Sequence, residues 1–167
     1  MYARNAMQGG AVWSNALKGA LECIRISWYA WQGTYSSIFF MALMPAIWGE
    51  GYYYLGPCFL ILLLTAAVCV FLYTLLRTVL RADRVHALAV GAAGAILALE
   101  MIHTAKEGIY WYNGGVHYVG MHSFLLLLTA VVLRMIQGGR RGLRILLMCP
   151  AMLLAVVAAG ANFVTAL

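Results

Sequence analysis

Apolar residues fill four long runs of this chain, and shorter polar stretches separate the runs. The four runs are Pro57–Leu76, Val85–Ile102, His117–Ile136 and Ile145–Leu167. A helix needs about 20 mostly apolar residues to cross a bilayer. The pattern therefore predicts an all-α protein, a polytopic transmembrane helical bundle with four membrane-spanning helices.

A fifth apolar stretch, Ser36–Trp48, is too short to cross a membrane alone, and two interpretations of it stay open. Residues 36–54 can form an irregular span that leaves the N-terminus in the cytoplasm, which the basic residues near the N-terminus favour. Residues 36–48 can instead form a short or re-entrant helix, with the N-terminus outside. Length favours the second interpretation, and so does Glu50, because an unpaired carboxylate in hydrocarbon costs several kcal/mol. The orientation of residues 1–50 is undecided on these grounds.

The N-terminal region has the helical spacing of an amphipathic helix. Its apolar positions recur every three or four residues: Leu17, Leu21, Ile24, Trp28 and Trp31. Its charged positions, Lys18, Glu22 and Arg25, fall on the opposite face. Such a helix suits the headgroup region, although an ordinary helix packed on the protein's own surface has the same pattern. We predict a single integral membrane domain over residues 1–167, with an interfacial region 1–35 and a membrane bundle 36–167, and we expect it to be part of a longer protein.

Composition and charge agree with a multi-pass protein of the cell membrane. The chain is 65% hydrophobic and 10% charged, whereas soluble domains are about half apolar and a quarter charged. The net charge is +6, but the basic residues cluster in two short loops rather than on a surface suited to nucleic acid. They are Arg77, Arg81 and Arg84 in one loop, and Arg134, Arg140, Arg141 and Arg144 in or beside the other. This distribution predicts that both loops are cytoplasmic and that residues 106–116 are outside. The expected partner is the lipid bilayer, and no protein partner is indicated.

Three ionisable residues follow one another with helical spacing near the end of the second run. Glu100, His103 and Glu107 are separated by i, i+3 and i+7, which predicts a shared helical face. Glu-x-x-His is half of a di-metal carboxylate site, but the chain has no second copy of it. We therefore assign no metal site and no cofactor, and a divalent metal stays an open alternative beside a hydrogen-bonded cluster or an acid/base or substrate-binding role.

The densest mixture of aromatic and polar groups is the segment Glu107-Gly-Ile-Tyr-Trp-Tyr-Asn-Gly-Gly-Val-His-Tyr118. Aromatic rings stack on sugars, and amide and imidazole groups hydrogen-bond hydroxyls, so the segment suits carbohydrate or lipid headgroups. Asn113-Gly114 predicts a turn. Interfacial anchoring is the alternative for the aromatic residues, but it explains Asn113 and His117 poorly. The predicted substrate-binding residues are Glu107, Trp111, Asn113, His117, Tyr118, Glu100 and His103, and no catalytic residue is assigned.

Three segments together resemble a family of bacterial polytopic membrane proteins of unassigned function. Segment 107–118 resembles a motif in which a Glu, an aromatic–Trp pair and a polar-Gly turn lead into a Tyr. Trp31-Gln-Gly-Thr34 looks like the Trp-x-Gly-Arg element of these proteins, and Gly160-Ala-Asn-Phe-Val-Thr-Ala-Leu167 is similar to their Asn–Phe/Tyr–x–Thr–Ala–Leu segment. Such proteins are related to the GT-C glycosyltransferases, which transfer a sugar from a polyprenyl-phosphate donor at the outer membrane face.

The resemblance implies a GT-C-like integral membrane protein, a partial glycosyltransferase that binds a polyprenyl-phosphate-linked sugar at the outer face. It also favours an external N-terminal region. The chain departs from the pattern in lacking the acidic loop expected to hold a catalytic Asp, since Asp83 is its first Asp, and in having Thr34 where Arg is expected. Whether it is an enzyme therefore stays undecided. The alternative is a non-catalytic membrane protein that acts as an assembly partner or small carrier subunit.

Overall fold

The computed structural model describes residues 13–30, 33–137 and 141–162, and every regular element in these ranges is helical, as the sequence predicts. Two 3-10 turns, Pro45–Trp48 and Glu50–Tyr52, and two π-helical turns, Lys106–Tyr110 and Val116–Gly120, join the α-helices. The α-helices are α1 Trp13–Ala30, α2 Tyr35–Ala42, α3 Leu55–Thr78, α4 Arg84–Glu100, α5 Tyr112–Gly115, α6 Met121–Gln137 and α7 Arg141–Ala159.

Three helical stretches in the described ranges are long and apolar enough to cross a membrane, rather than the four predicted. They are Glu50–Thr78 with 29 residues, Tyr112–Gln137 with 26 and Arg141–Ala159 with 19. The fourth predicted span, Val85–Ile102, is not among them, because α4 has 17 residues and is about 25 Å long, shorter than a hydrocarbon core of about 30 Å. Polar groups limit α4 at both ends, since Asp83 caps its start and it ends at Glu100. The predicted run 145–167 also differs, because α7 covers 141–159 and residues 163–167 lie outside the described ranges.

Helix α4 returns antiparallel along α3 and forms the most extensive helix pair of the bundle. Glycines on α4 allow the close approach. A Cβ on Gly91 would lie 3.3 Å from the Cys69 carbonyl oxygen, and one on Gly94 would lie 2.3 Å from Leu72 Cδ1. The Cys69 thiol donates a hydrogen bond of 3.4 Å to the Gly91 carbonyl. Helix α6 also packs against α3, and α7 packs against α6.

The stretch after α1 is a short, broken helix. Helix α2 has eight residues, ends at Ala42, and is followed by the 3-10 turn that begins at Pro45. The structure has a short helix here, followed by two 3-10 turns, and this broken conformation is compatible with both interpretations, the irregular span 36–54 and the short or re-entrant helix 36–48. The side of the membrane on which residues 1–50 lie stays a prediction.

Helix α1 is confirmed as a helix, and it packs through small residues rather than large ones. Ala16, Gly19 and Ala20 are buried, and α1 contacts α2. The predicted apolar positions Leu17 and Leu21 remain 43% and 59% exposed, while Trp31 lies outside the described residues. Helix α1 therefore packs on the protein through one face and keeps other apolar side chains exposed, as expected of an interfacial helix.

Candidate functional site

The segment from Glu107 to Tyr118 is helical throughout most of its length. A π-turn, the short helix α5 and a second π-turn follow one another and lead directly into α6. The turn predicted at Asn113-Gly114 is wrong: in the described ranges, positive φ occurs at Gly49 and Arg81. The aromatic and polar side chains are therefore held by a helical scaffold at the end of the bundle.

Close packing explains the glycines of this segment better than turn formation does. A Cβ on Gly115 would lie 2.5 Å from Leu60 Cδ1 and 2.8 Å from the Gly108 carbonyl oxygen. The Leu60 side chain can move, but the Gly108 carbonyl belongs to the backbone of the preceding π-turn. Gly115 is thus needed where the segment folds back on itself and on α3.

Tyr53 fixes the segment to the start of α3, a role that the sequence analysis missed. Its hydroxyl donates a 2.6 Å hydrogen bond to the Tyr110 carbonyl and accepts a longer one, 3.4 Å, from the Tyr112 amide. The Tyr112 side chain is buried, and a Cβ on Gly56 would lie 2.5 Å from its ring. The run Tyr52-Tyr53-Tyr54 is the available sequence signal, but nothing in it distinguishes Tyr53 from its neighbours.

Two of the three segments compared with that family, 107–118 and 160–167, meet in the structure, and the residue two positions after the third contacts Gly160. The Ser36 amide, two residues after Thr34, donates to the Gly160 carbonyl at 2.9 Å. The buried Asn162 side-chain amide donates to the His117 carbonyl. The sequence pattern predicts a hydrogen bond across helices for Asn162 in the last apolar run. In the structure Asn162 lies beyond the end of α7, so its bond is long-range but does not start from a helix. Trp31, Gln32 and residues 163–167 lie outside the described ranges.

Glu100, His103 and Glu107 do not share one helical face, so the prediction of a common face is wrong. Helix α4 ends at Glu100, the Met101 amide closes its last turn on the Leu97 carbonyl, and His103 lies in the non-helical connection that follows. Glu107 then belongs to the next helical turn. In the described residues, no group of three or more His, Cys, Asp or Glu side chains is arranged to hold a metal ion.

The predicted binding residues differ in exposure. Glu100, His103, Glu107, Trp111 and Tyr118 are exposed, whereas Asn113 and His117 are partly buried. The rings of His117 and Tyr118 meet edge to face with centroids 5.0 Å apart. His117 Nδ1 is buried and has no hydrogen-bond partner in the described residues. An unpaired buried nitrogen costs free energy.

An apolar groove opens beside Tyr118 and His122 on the surface where α3, α4 and the start of α6 meet. Its volume is about 360 Å³. Its apolar lining comes from residues far apart in the sequence: Leu64, Val68, Ala98, Ile102 and Val119. Tyr118 and His122 are one helical turn apart and supply the polar groups. Sequence reasoning identified Tyr118 as a binding residue but could not find the groove, which depends on the α3–α4 pairing.

Comparison with known proteins gives no match: no protein-family model, curated protein or solved structure corresponds to this chain. The class of protein therefore rests on the fold itself. In the described ranges it is all-helical, with three helices that are long and apolar enough to cross a membrane.

Proposed function

We propose that this chain is a GT-C-like integral membrane protein of the cell membrane that binds a polyprenyl-phosphate-linked sugar at the outer face. The observation that carries the proposal is the apolar groove bordered by Tyr118 and His122. A lipid-linked sugar has a long hydrocarbon chain joined to a polar head. The groove and its polar border offer surfaces of both kinds side by side.

The apolar groove matches the hydrocarbon chain of such a ligand, and the polar border matches its sugar head. Burial of hydrocarbon contributes about 0.8 kcal/mol for each CH₂ group, and the groove is lined mainly by aliphatic side chains. Trp111 and Tyr118 present more than half of their surface, so part of each ring is accessible to a sugar. The exposed Glu107 carboxylate is a hydrogen-bond acceptor for hydroxyl groups.

The remaining predicted residues, Glu100, His103 and Asn113, are further polar contacts under this proposal. They lie in or next to the segment that holds Trp111 and Tyr118. The proposal concerns binding, as expected of a partial glycosyltransferase, and assigns no catalytic residue.

The second candidate function is that of a non-catalytic assembly partner or small carrier subunit. The observation that favours it is the bare surface of α7, of whose apolar stretch only 6% is buried. Leu146, Met152 and Leu153 on this helix are each more than 60% exposed. A helix of another protein would cover these side chains as well as lipid does.

A binding titration tests the first proposal. The purified protein in detergent is titrated with a polyprenyl-phosphate-linked sugar, and the bound fraction is read by native mass spectrometry. Tyr118→Ala should weaken binding about tenfold, the equivalent of about 1.4 kcal/mol from lost stacking and hydrogen bonding. Tyr29→Ala is the matched control, because Tyr29 is an exposed tyrosine on α1, outside the groove.

Equal affinity of the Tyr118→Ala and Tyr29→Ala variants would contradict the proposed site. A wild-type protein that binds no lipid-linked sugar would contradict the proposed function and favour the assembly role. Circular dichroism of each variant shows whether the helical fold is retained.

A further inference from the structure

Three arginines from three helices surround a cleft at the opposite end of the bundle from the groove. Arg77 lies in the last turn of α3, Arg84 is the first residue of α4, and Arg134 lies in the last turn of α6. The cleft has a volume of about 320 Å³, and Tyr73, Thr74 and Thr78 complete its lining.

A second cleft adjoins the first and adds a fourth arginine. It measures about 370 Å³ and shares Arg77, Thr78 and Arg134 with the first cleft. Its further lining residues include Arg81, the residue with φ of 55° in the loop between α3 and α4. We call the two clefts together the arginine cleft.

The positive charge of the arginine cleft is not neutralised by the described residues. Neither cleft is lined by a described Asp or Glu. The ion pairs formed in the described ranges are Arg25–Glu22 and His86–Asp83, so none of the four guanidinium groups has a carboxylate partner there. Arg77 donates a 2.6 Å hydrogen bond to the Ala82 carbonyl, which fixes one guanidinium beside the cleft. Like charges held close together repel one another, and a bound anion removes this cost.

The cleft lies at the level where lipid headgroups are expected. Arg77 is near the end of the candidate span Glu50–Thr78, and Arg134 is near the end of Tyr112–Gln137. Basic pockets between membrane helices bind anionic headgroups, and the guanidinium group matches the geometry of phosphate through paired hydrogen bonds.

We propose that the arginine cleft is a phosphate-binding site, which takes the phosphate group of an anionic phospholipid or of a soluble phosphate compound. It is separate from the groove at Tyr118 and does not depend on the function proposed for that groove. Arg84 and Arg134 provide its anion contacts together with Arg77 and Arg81. The Thr78 hydroxyl donates to the Thr74 carbonyl at 2.6 Å and is therefore not a donor to the phosphate.

Native mass spectrometry of the purified full chain tests this site with three probes: phosphatidylglycerol, phosphatidylcholine and inorganic phosphate. Arg84→Gln/Arg134→Gln is the informative variant, because neither side chain has a hydrogen bond or ion pair in the described residues. Arg141→Gln/Arg144→Gln is the control, since it removes the same charge near the same end of the bundle without touching the cleft lining. Circular dichroism establishes that both variants retain helix.

The wild type should bind phosphatidylglycerol in preference to phosphatidylcholine, and Arg84→Gln/Arg134→Gln should weaken this binding about 25-fold, at about fivefold for each arginine. The control variant should bind as the wild type does. Binding of inorganic phosphate with the same dependence on Arg84 and Arg134, and no preference between the lipids, would assign the site to a soluble phosphate compound. Equal losses in both double variants would show a diffuse charge effect and overturn the proposal, as would binding of neither phosphatidylglycerol nor inorganic phosphate.

Discussion

At the scale of single residues, small and hydroxyl-bearing side chains decide how the polar segment is held. Tyr53 joins the segment to α3 through its hydroxyl, and Asn162 joins it to the chain after α7. Gly115 lets the backbone of the segment approach Leu60 and Gly108. Trp111 and Tyr118 keep more than half of their surface exposed.

Replacing the Tyr53 hydroxyl should destabilise the protein without altering its packing. Tyr53→Phe removes the donor to the Tyr110 carbonyl, and a net loss of about 1 kcal/mol in the free energy of unfolding is expected. Tyr54→Phe is the control, since Tyr54 is exposed and its hydroxyl has no hydrogen-bond partner in the described residues. Unfolding in detergent, followed by circular dichroism, measures both. The same loss in the two variants would refute the role given to Tyr53.

A methyl group on Gly115 should be far less tolerated than one on Gly142. Gly115→Ala forces a shift of the Gly108 backbone, for which overpacking costs of about 1–3 kcal/mol are typical. Gly142 is also helical, but a Cβ there meets no atom within 4 Å, so Gly142→Ala should be neutral or slightly stabilising. Comparison of the two midpoints of thermal unfolding checks this difference. A Gly115→Ala variant as stable as the wild type would show that the segment is loosely packed.

At the scale of helices, the sequence predicted the long apolar elements well and the short ones poorly. Helix α3 contains the predicted run Pro57–Leu76, since a long apolar run leaves few alternatives to a helix. The end of α4 was misplaced because Met101 and Ile102 are apolar, although the polar groups around them stop the helix. Asn113-Gly114 resembles a turn locally, but the space available beside Leu60 decides its conformation. Such contacts between distant residues do not appear in a local pattern.

The capping of α4 by Asp83 makes the stability of this helix depend on pH. The Asp83 carboxylate accepts hydrogen bonds from the His86 amide, the His86 ring and the Val85 amide. These bonds lower the pKa of Asp83 below the usual value of about 4. The cap therefore stabilises α4 fully above about pH 4, and this stabilisation is lost as the pH falls through the lowered pKa. Asp83→Asn keeps a capping side chain that does not titrate.

Thermal unfolding between about pH 2 and pH 6 should show a smaller acid-induced fall in Tm for Asp83→Asn than for the wild type. Glu50→Gln serves as the control, because Glu50 is an exposed carboxylate that caps no α-helix. Identical pH profiles for Asp83→Asn and the wild type would show that the Asp83 cap contributes nothing measurable.

At the scale of the whole molecule, the bundle has two chemically different ends. The cleft lined by Arg77, Arg84 and Arg134 joins the ends of α3 and α6 to the start of α4. The aromatic segment lies at the other end, where α4 finishes and α6 is about to begin. The charge pattern of the sequence predicts that the two arginine-containing loops share one side, and the structure brings arginines of both loops into one cleft.

Thiol labelling tests this arrangement in the membrane. In a chain whose four cysteines are replaced, Leu80→Cys and Gly142→Cys should react with an impermeant reagent from the same side, and Lys106→Cys should react from the opposite side. Leu80 and Gly142 lie at the ends of α3 and α7 near the arginine cleft, whereas Lys106 begins the π-turn of the aromatic segment. Labelling of all three positions from one side would contradict the bundle topology.

Photocrosslinking tests whether the aromatic end of the bundle binds a lipid-linked sugar. A polyprenyl-phosphate-linked sugar with a photoreactive group in its prenyl chain is incubated with the purified protein, irradiated, and the modified peptides are mapped by mass spectrometry. Residues that line the groove, such as Leu64, Ile102 and Val119, should be modified, and the unmodified ligand should compete. Modification confined to the arginine cleft, or modification that the unmodified ligand does not reduce, would contradict the proposed binding.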